Sequence, residues 1–151
     1  MLVTIEFDSI STRGKIEIIR VLTDCNILAK IAKYENPEIR EEVARNENTG
    51  VDTLRRLAED SDIDVLMSVA RNKNTPADIL DKLADYDFYG VQEEVACNLN
   101  TSSDTLEKLV NLGNSLDVVR LVARNVNISP KLRTELSKHY DWEVRNAVAS
   151  L

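Results

Sequence analysis

The sequence predicts an all-α protein, an α-α superhelix of about four and a half stacked repeats. Three observations carry that prediction. The string Val-Ala-x-Asn-x-Asn-Thr recurs at Val43 to Thr49, Val69 to Thr75 and Val95 to Thr101. A weakened copy runs from Val122 to Ile128, and a truncated one begins at Val148-Ala149; the Val positions step by 26, 26, 27 and 26 residues. A second column, Ile31, Leu57, Leu83, Leu109 and Leu136, steps by 26, 26, 26 and 27. Finally, apolar residues within each period fall three to four apart without strand-like alternation, which is helical spacing. The one extra residue lies in the segment NLGNSLD, where Gly113 and Asn114 suggest a loop insertion.

Taken in order, the ends differ from the middle. Met1 to Phe7 alternates through Leu2, Val3, Ile5 and Phe7, as a strand-like arm, an interface strand or a frayed tail would. Ser9 to Leu22 reads as a capping helix with Ile16, Ile19 and Leu22 on one face. Residues 1–22 thus form an arm and cap, and residues 23–151 one continuous solenoid. Within a repeat, Thr75 and Pro76 open a first helix as N-cap and first helical residue, and Ile79, Leu80, Leu83 and Ala84 follow at helical spacing. A short loop leads to a second, shorter helix of about two turns, too short to be stable alone. Its stripe is Ile39-Val43-Ala44, Val65-Val69-Ala70, Val91-Val95-Ala96, Val118-Val122-Ala123 and Val144-Val148-Ala149. Asn36, Asp62, Ser115 and Asp141 stand three residues before the stripes as N-caps; Phe88 takes that place in the third repeat, so Asp87 or a shifted start must serve there.

The paired asparagines, Asn46/Asn48 to Asn125/Asn127, follow the second helix. They read as backbone caps in a tight turn, the first of each pair suiting left-handed geometry or a carbonyl cap. The competing reading is a ladder of amides offered to a ligand.

Repeats of the form Asp-x-x-Val-Arg-x-x-Val-Ala-x-Asn-x-Asn-Thr-Pro-x-x-x-Leu-x-x-Leu-Ala are similar to those of the leucine-rich repeat variant family, a relative of HEAT-like and armadillo-like α-solenoids. The best copies here are DSDIDVLMSVARNKNTPADILDKLA and ENPEIREEVARNENTGVDTLRRLA, and the resemblance covers about Asp24 to Leu151. It implies a right-handed superhelix in which one helix of each pair is short and 3₁₀-like. A founding member of that family carries an iron–sulfur module on a Cys cluster; Cys25 and Cys97 alone do not reproduce it.

The 151 residues carry a net charge of −7. That acidity disfavours a phosphate backbone as ligand. With no apolar run long enough to span a membrane and no signal peptide in MLVTIEFDS, the expected setting is cytoplasmic with reduced thiols. No nucleophile motif or phosphate loop is present, and one His with two distant Cys cannot supply the four ligands of a zinc site. No catalytic residue, cofactor or metal is expected. The pairs Glu41-Glu42 and Glu93-Glu94 read as a solvated helix face. After each Val-Ala stands Arg45, Arg71, Cys97, Arg124 or Ser150, and Arg120 and Arg145 lie on the same helices. Such a row either grips phosphates and acidic peptides through guanidinium forks, or pairs with nearby carboxylates and helix ends. Tyr86, Phe88 and Tyr89 form either a partner contact or a local core under their loop. The expected role is a non-catalytic scaffold for a protein or peptide, using Arg45, Arg71, Arg120, Arg124, Arg145, Tyr86 and Tyr89. Nucleic-acid binding through the Arg row is the alternative. Self-association through an uncapped C-terminal end, beside His139, Tyr140 and Trp142, is a further expectation.

Overall fold

The computed structural model describes residues 7–113 and 115–151. They form two compact units, Met1–Asn74 and Thr75–Leu151. The first holds helices α1 (Thr12–Val21), α2 (Cys25–Ile31), α3 (Pro37–Arg45), α4 (Val51–Leu57) and α5 (Ile63–Arg71). Here α3 stacks on α1 and α5 on α3, while α2 and α4 pack alongside them. The second unit holds α6 (Ala77–Leu83), α7 (Tyr89–Cys97), α8 (Ser103–Leu112), α9 (Leu116–Val122), α10 (Pro130–Leu136) and α11 (Trp142–Ala149). Its stack runs α7 to α9 to α11, with α6, α8 and α10 packed alongside. Within each unit, second helices therefore meet their equivalents in the next repeat, which is how a solenoid buries faces that no single repeat can bury.

Both apolar columns lie in the core. Val43, Val69, Val95 and Val122 are fully buried, and Ile31, Leu57, Leu83, Leu109 and Leu136 are at most 5% exposed. The alanines of the stripe, Ala44, Ala70, Ala96 and Ala123, are also fully buried. Their small size sets how closely stacked helices approach. Ala70→Leu is expected to overpack α5 and destabilise the protein by about 1–3 kcal/mol. An unchanged melting temperature would show that Ala70 has room to spare.

Local chemistry corrects several sequence expectations. The second helix is the shorter one only in the fourth repeat, where α9 has seven residues against ten in α8; α3, α5 and α7 have nine, against seven in α2, α4 and α6. No described residue is in a strand or a 3₁₀ helix. The threonine before each first helix is not its N-cap. In α6 that place falls to Pro76, and Thr75 is fully buried. Thr49 and Thr101 instead turn back, each donating its hydroxyl to the carbonyl six residues earlier, Val43 and Val95, at 2.6 Å. The caps of the second helices largely match expectation. Asn36, Asp62 and Asp141 accept from first-turn amides of α3, α5 and α11. Ser115 occupies the cap of α9 without a side-chain bond. Phe88 itself caps α7 with no side-chain acceptor, so Asp87 does not serve and the helix start is not shifted. A missing cap of this kind costs about 0.5–2 kcal/mol.

The extra residue lengthens a helix rather than a loop. α8 runs to ten residues and ends at Gly113, whose φ of 64° is the left-handed geometry that glycine adopts without strain. Asn114 and most of the expected N-terminal arm lie outside the described residues. Residues 7–9 are helical, not extended. Phe7 is buried, edge-on to Tyr34 at 5.7 Å between ring centroids. The capping helix forms as α1, with Ser11 accepting from Gly14.

Candidate partner-binding surface

The asparagine amides are engaged inside the stack. Asn46, Asn72, Asn98 and Asn125 are at most 8% exposed. Asn72 Nδ2 donates to the carbonyls of Ala44 (2.7 Å) and Asn46 (3.0 Å) in the preceding repeat. Asn125 Nδ2 does the same to Ala96 (2.9 Å) and Asn98 (3.0 Å), and Asn46 Nδ2 reaches back to Ile19 and Leu22. The Oδ1 of the same residues accepts the amide two residues on: Asn48, Asn74, Asn100 and Asn127 at 2.7–2.9 Å. The second asparagines also reach back one repeat, as Asn127 does to Thr101 at 3.0 Å. The ladder therefore exists, and carbonyls of the neighbouring repeat, not a ligand, receive it. It needs no left-handed backbone: Asn46, Asn72 and Asn98 are extended, with φ between −64° and −72°.

The arginines divide into two groups. Arg45, Arg71 and Arg124 stand exposed at the ends of their helices, in one repeat register. Arg45 pairs with Glu41 and Glu42. Arg124 lines an open cavity of about 360 Å³ with Trp142, Asn146 and Leu151. Arg120 instead forks onto Asp141 of the following repeat (Nη2–Oδ2 2.8 Å) and also meets Asp117 and Glu143. Arg145 donates to the carbonyls of His139 and Tyr140 at 2.6 and 2.8 Å, holding the loop before α11. Arg40 repeats both devices, forking onto Asp60 (2.7 and 2.9 Å) while donating to the carbonyls of Tyr34 and Glu35. The pair Glu41-Glu42 is not a solvated face. Glu42 is 7% exposed and binds Arg20 at 2.8 Å, and burial pushes the Glu41 carboxyl above its usual range.

These clamps make the fold acid-sensitive. The Arg120 hydrogen bond holds Asp141 down to about 2, and the Arg40 hydrogen bond likewise holds Asp60 below the usual carboxylate range. A depressed folded pKa contributes stability above the unfolded value, near 4, and loses it as pH falls through the folded value. The melting temperature should therefore be steady at neutral pH and fall from about pH 4 toward about pH 2. In Asp60→Asn/Asp141→Asn that fall should flatten; an identical acid limb would assign it to other carboxylates.

The aromatic cluster is exposed: Tyr86 by 38%, Phe88 by 41% and Tyr89 by 51%. Of the two readings offered by the sequence, a core under the loop does not form. One column escaped the sequence reading altogether. Lys30, Arg56, Lys82 and Lys108 stand one residue before the Leu column, again in steps of 26. Within its unit, Arg56 caps the carbonyl of Ala29 at 3.1 Å, and Lys108 that of Asp81 at 3.0 Å. Its signal was the shared period; acidic neighbours in the same helices masked it. Among the described residues, no group of three or more His, Cys, Asp or Glu could hold a metal ion. Nor is any described helix long and apolar enough to cross a membrane.

Residues 37–62 match the family model described as leucine rich repeat variant. Comparison with curated proteins yields no match. Among solved structures, a leucine-rich repeat variant with a novel repetitive protein structural motif is similar at 22% identity and TM-score 0.66, over 90% of this chain and 54% of that one. The chain thus spans about half the length of that neighbour. A designed armadillo repeat protein in complex with the peptide (KR)4 is similar at 14% identity and TM-score 0.50, over 91% of this chain and 88% of that one. The helix-by-helix stacking, the buried columns and these matches together show a helical repeat solenoid, one of whose repeats, residues 37–62, matches the leucine rich repeat variant model.

Proposed function

We propose that the chain is a non-catalytic scaffold that binds a protein or peptide partner along the exposed surface of its repeats. The observation that carries this reading is that large side chains stay exposed at sites where the rest of the repeat is satisfied internally. Arg45, Arg71 and Arg124 do so at one helix end, and Tyr86 and Tyr89 in the loop before α7. Tyr and Arg are the side chains that most often anchor interfaces. Arg120 and Arg145, also in the second unit, already have their guanidiniums engaged in holding loops. The designed armadillo neighbour, similar in fold, is in complex with a peptide. Nucleic acid suits the chain poorly, since a net charge of −7 repels phosphates. Tyr140 and Trp142, 80% and 64% exposed, also offer a surface to a second copy, which light scattering across a concentration series would detect. Neither cysteine is in a disulfide, in keeping with a cytoplasmic setting.

The test begins with crosslinked pull-downs from nuclease-treated and untreated lysate. A partner retained after nuclease treatment is then titrated against Arg45→Glu/Arg71→Glu/Arg124→Glu and Tyr86→Ala/Tyr89→Ala, with melting temperatures measured in parallel. Weakened binding by folded variants is expected. Undiminished affinity in both would remove these residues from the site, and retention that depends on nucleic acid would overturn the protein-partner reading.

A further inference from the structure

The loop between α6 and α7 departs furthest from the pattern of the other repeats; Ser115 also makes no side-chain bond at its cap, yet the fourth repeat keeps a polar residue there and Asp117 in the first turn. At the position held by Asn36, Asp62 and Asp141, each accepting a first-turn amide, stands Phe88, 41% exposed and accepting none. Two residues further on, where Glu38, Asp64, Asp117 and Glu143 place a carboxylate in the first turn, stands Gly90. Tyr89 replaces the Pro37 and Ile63 of the earlier repeats. Breaks in a local rule, concentrated in one loop and unrepaid by packing, mark a site kept for something other than stability.

The loop is also held in place. Phe88 N donates to the Tyr86 carbonyl at 2.8 Å. Gln92, 3% exposed, donates its Nε2 to the same carbonyl at 3.0 Å. Three aromatic rings are thus presented to solvent by a pinned backbone, so little ordering remains to be done when a partner arrives. The charges among them are acidic. Asp87 lies between Tyr86 and Phe88 and is exposed. Asp85, whose side chain is 64% exposed, already attracts a cation, the Lys108 ammonium at 2.9 Å.

We propose that this loop binds a cationic segment of the partner, with Lys or Arg side chains set over the faces of Tyr86, Phe88 and Tyr89 and paired with Asp87. Aromatic faces attract ammonium and guanidinium groups, and an acidic chain raises their local concentration. The proposal rests on the partner-binding reading above and names the chemistry that part of the surface recognises.

The experiment measures fluorescence anisotropy of a labelled Lys/Arg decapeptide and a labelled Asp/Glu decapeptide with the full chain, near physiological salt. The informative variant is Phe88→Asn, because it restores the cap that Asn36 provides in α3. It should raise the melting temperature while weakening the cationic peptide about fivefold; Tyr86→Ala/Tyr89→Ala should weaken it at least about tenfold. Asp104→Asn on α8 removes the same charge as Asp87→Asn but outside this loop, and only the latter should matter. The proposal is overturned if the cationic peptide does not bind, if the acidic one binds better, or if the loop variants leave its affinity unchanged. Should the cationic peptide fail while a captured partner still depends on Tyr86 and Tyr89, the scaffold reading stands and only the cationic assignment falls.

Discussion

Asn72→Ala is expected to destabilise the protein by about 2–4 kcal/mol, more than any polar side chain of ordinary exposure would. The reason is the number of buried groups it leaves without a partner. The Ala44 carbonyl loses the Asn72 amide, the Asn46 carbonyl keeps only the Thr49 amide as donor, and the amide of Asn74 loses its acceptor. Ala44 is fully buried and Asn46 nearly so, so water does not readily replace the lost amide. Each buried group stranded in this way costs about 1–3 kcal/mol, offset in part by local relaxation. Asn72→Asp should be no milder. Its carboxylate still accepts from Asn74 but turns an oxygen toward two carbonyls. Urea denaturation of both variants measures the effect. A shift below about 0.5 kcal/mol for Asn72→Ala would mean that the ladder decorates the stack rather than holding it.

Leu106→Ala is expected to cost about 2–5 kcal/mol, by removing buried methyl groups from a site that cannot collapse around the void. Leu106 is fully exposed to the core of the second unit and not to solvent, as its equivalents Leu28, Leu54 and Leu80 are in their own repeats. The fifth repeat has Arg133 at this position, partly exposed, so the column ends there. Leu106→Met, which keeps the volume, should cost less than about 1.5 kcal/mol. Similar losses for the two variants would point to shape rather than volume as the determinant.

The fold was legible because two apolar columns share one period, and burial follows from period alone. Helix lengths were less legible. The stripe Ile39-Val43-Ala44 marks only the buried face of α3, whose first and last residues, Pro37 and Arg45, are exposed and carry no apolar signal. Threonine ahead of the first helix fits either an N-cap or a hydroxyl turned back onto the preceding helix, and Thr101 shows the second. The asparagines were placed correctly in their turns, yet their donor groups travel a whole repeat. Local turn chemistry cannot reveal a bond from Asn125 to Ala96. For the same reason the sequence could not separate Arg120, committed to a carboxylate 21 residues on, from Arg124, which remains at an open cavity. The aromatic loop was visible as a cluster, but exposure is a property of the folded backbone around Gln92.

The asparagine turns also determine where the chain tolerates a change of length. Each turn must deliver its amides to carbonyls one repeat back, so a residue inserted between Asn72 and Asn74, for example, would carry Asn74 off the Glu47 carbonyl. At the opposite edge of the repeats the loops are tied by the long side chains of Arg40 and Arg120, which leave more latitude in the count, and the single extra residue is found there, absorbed by an added stretch of α8 and closed by Gly113. One edge is in effect metrically locked and the other indel-permissive. Linkers, tags or grafted loops placed near Gly113 should leave stacking intact, whereas the same additions in an Asn-x-Asn-Thr turn should uncouple adjacent repeats.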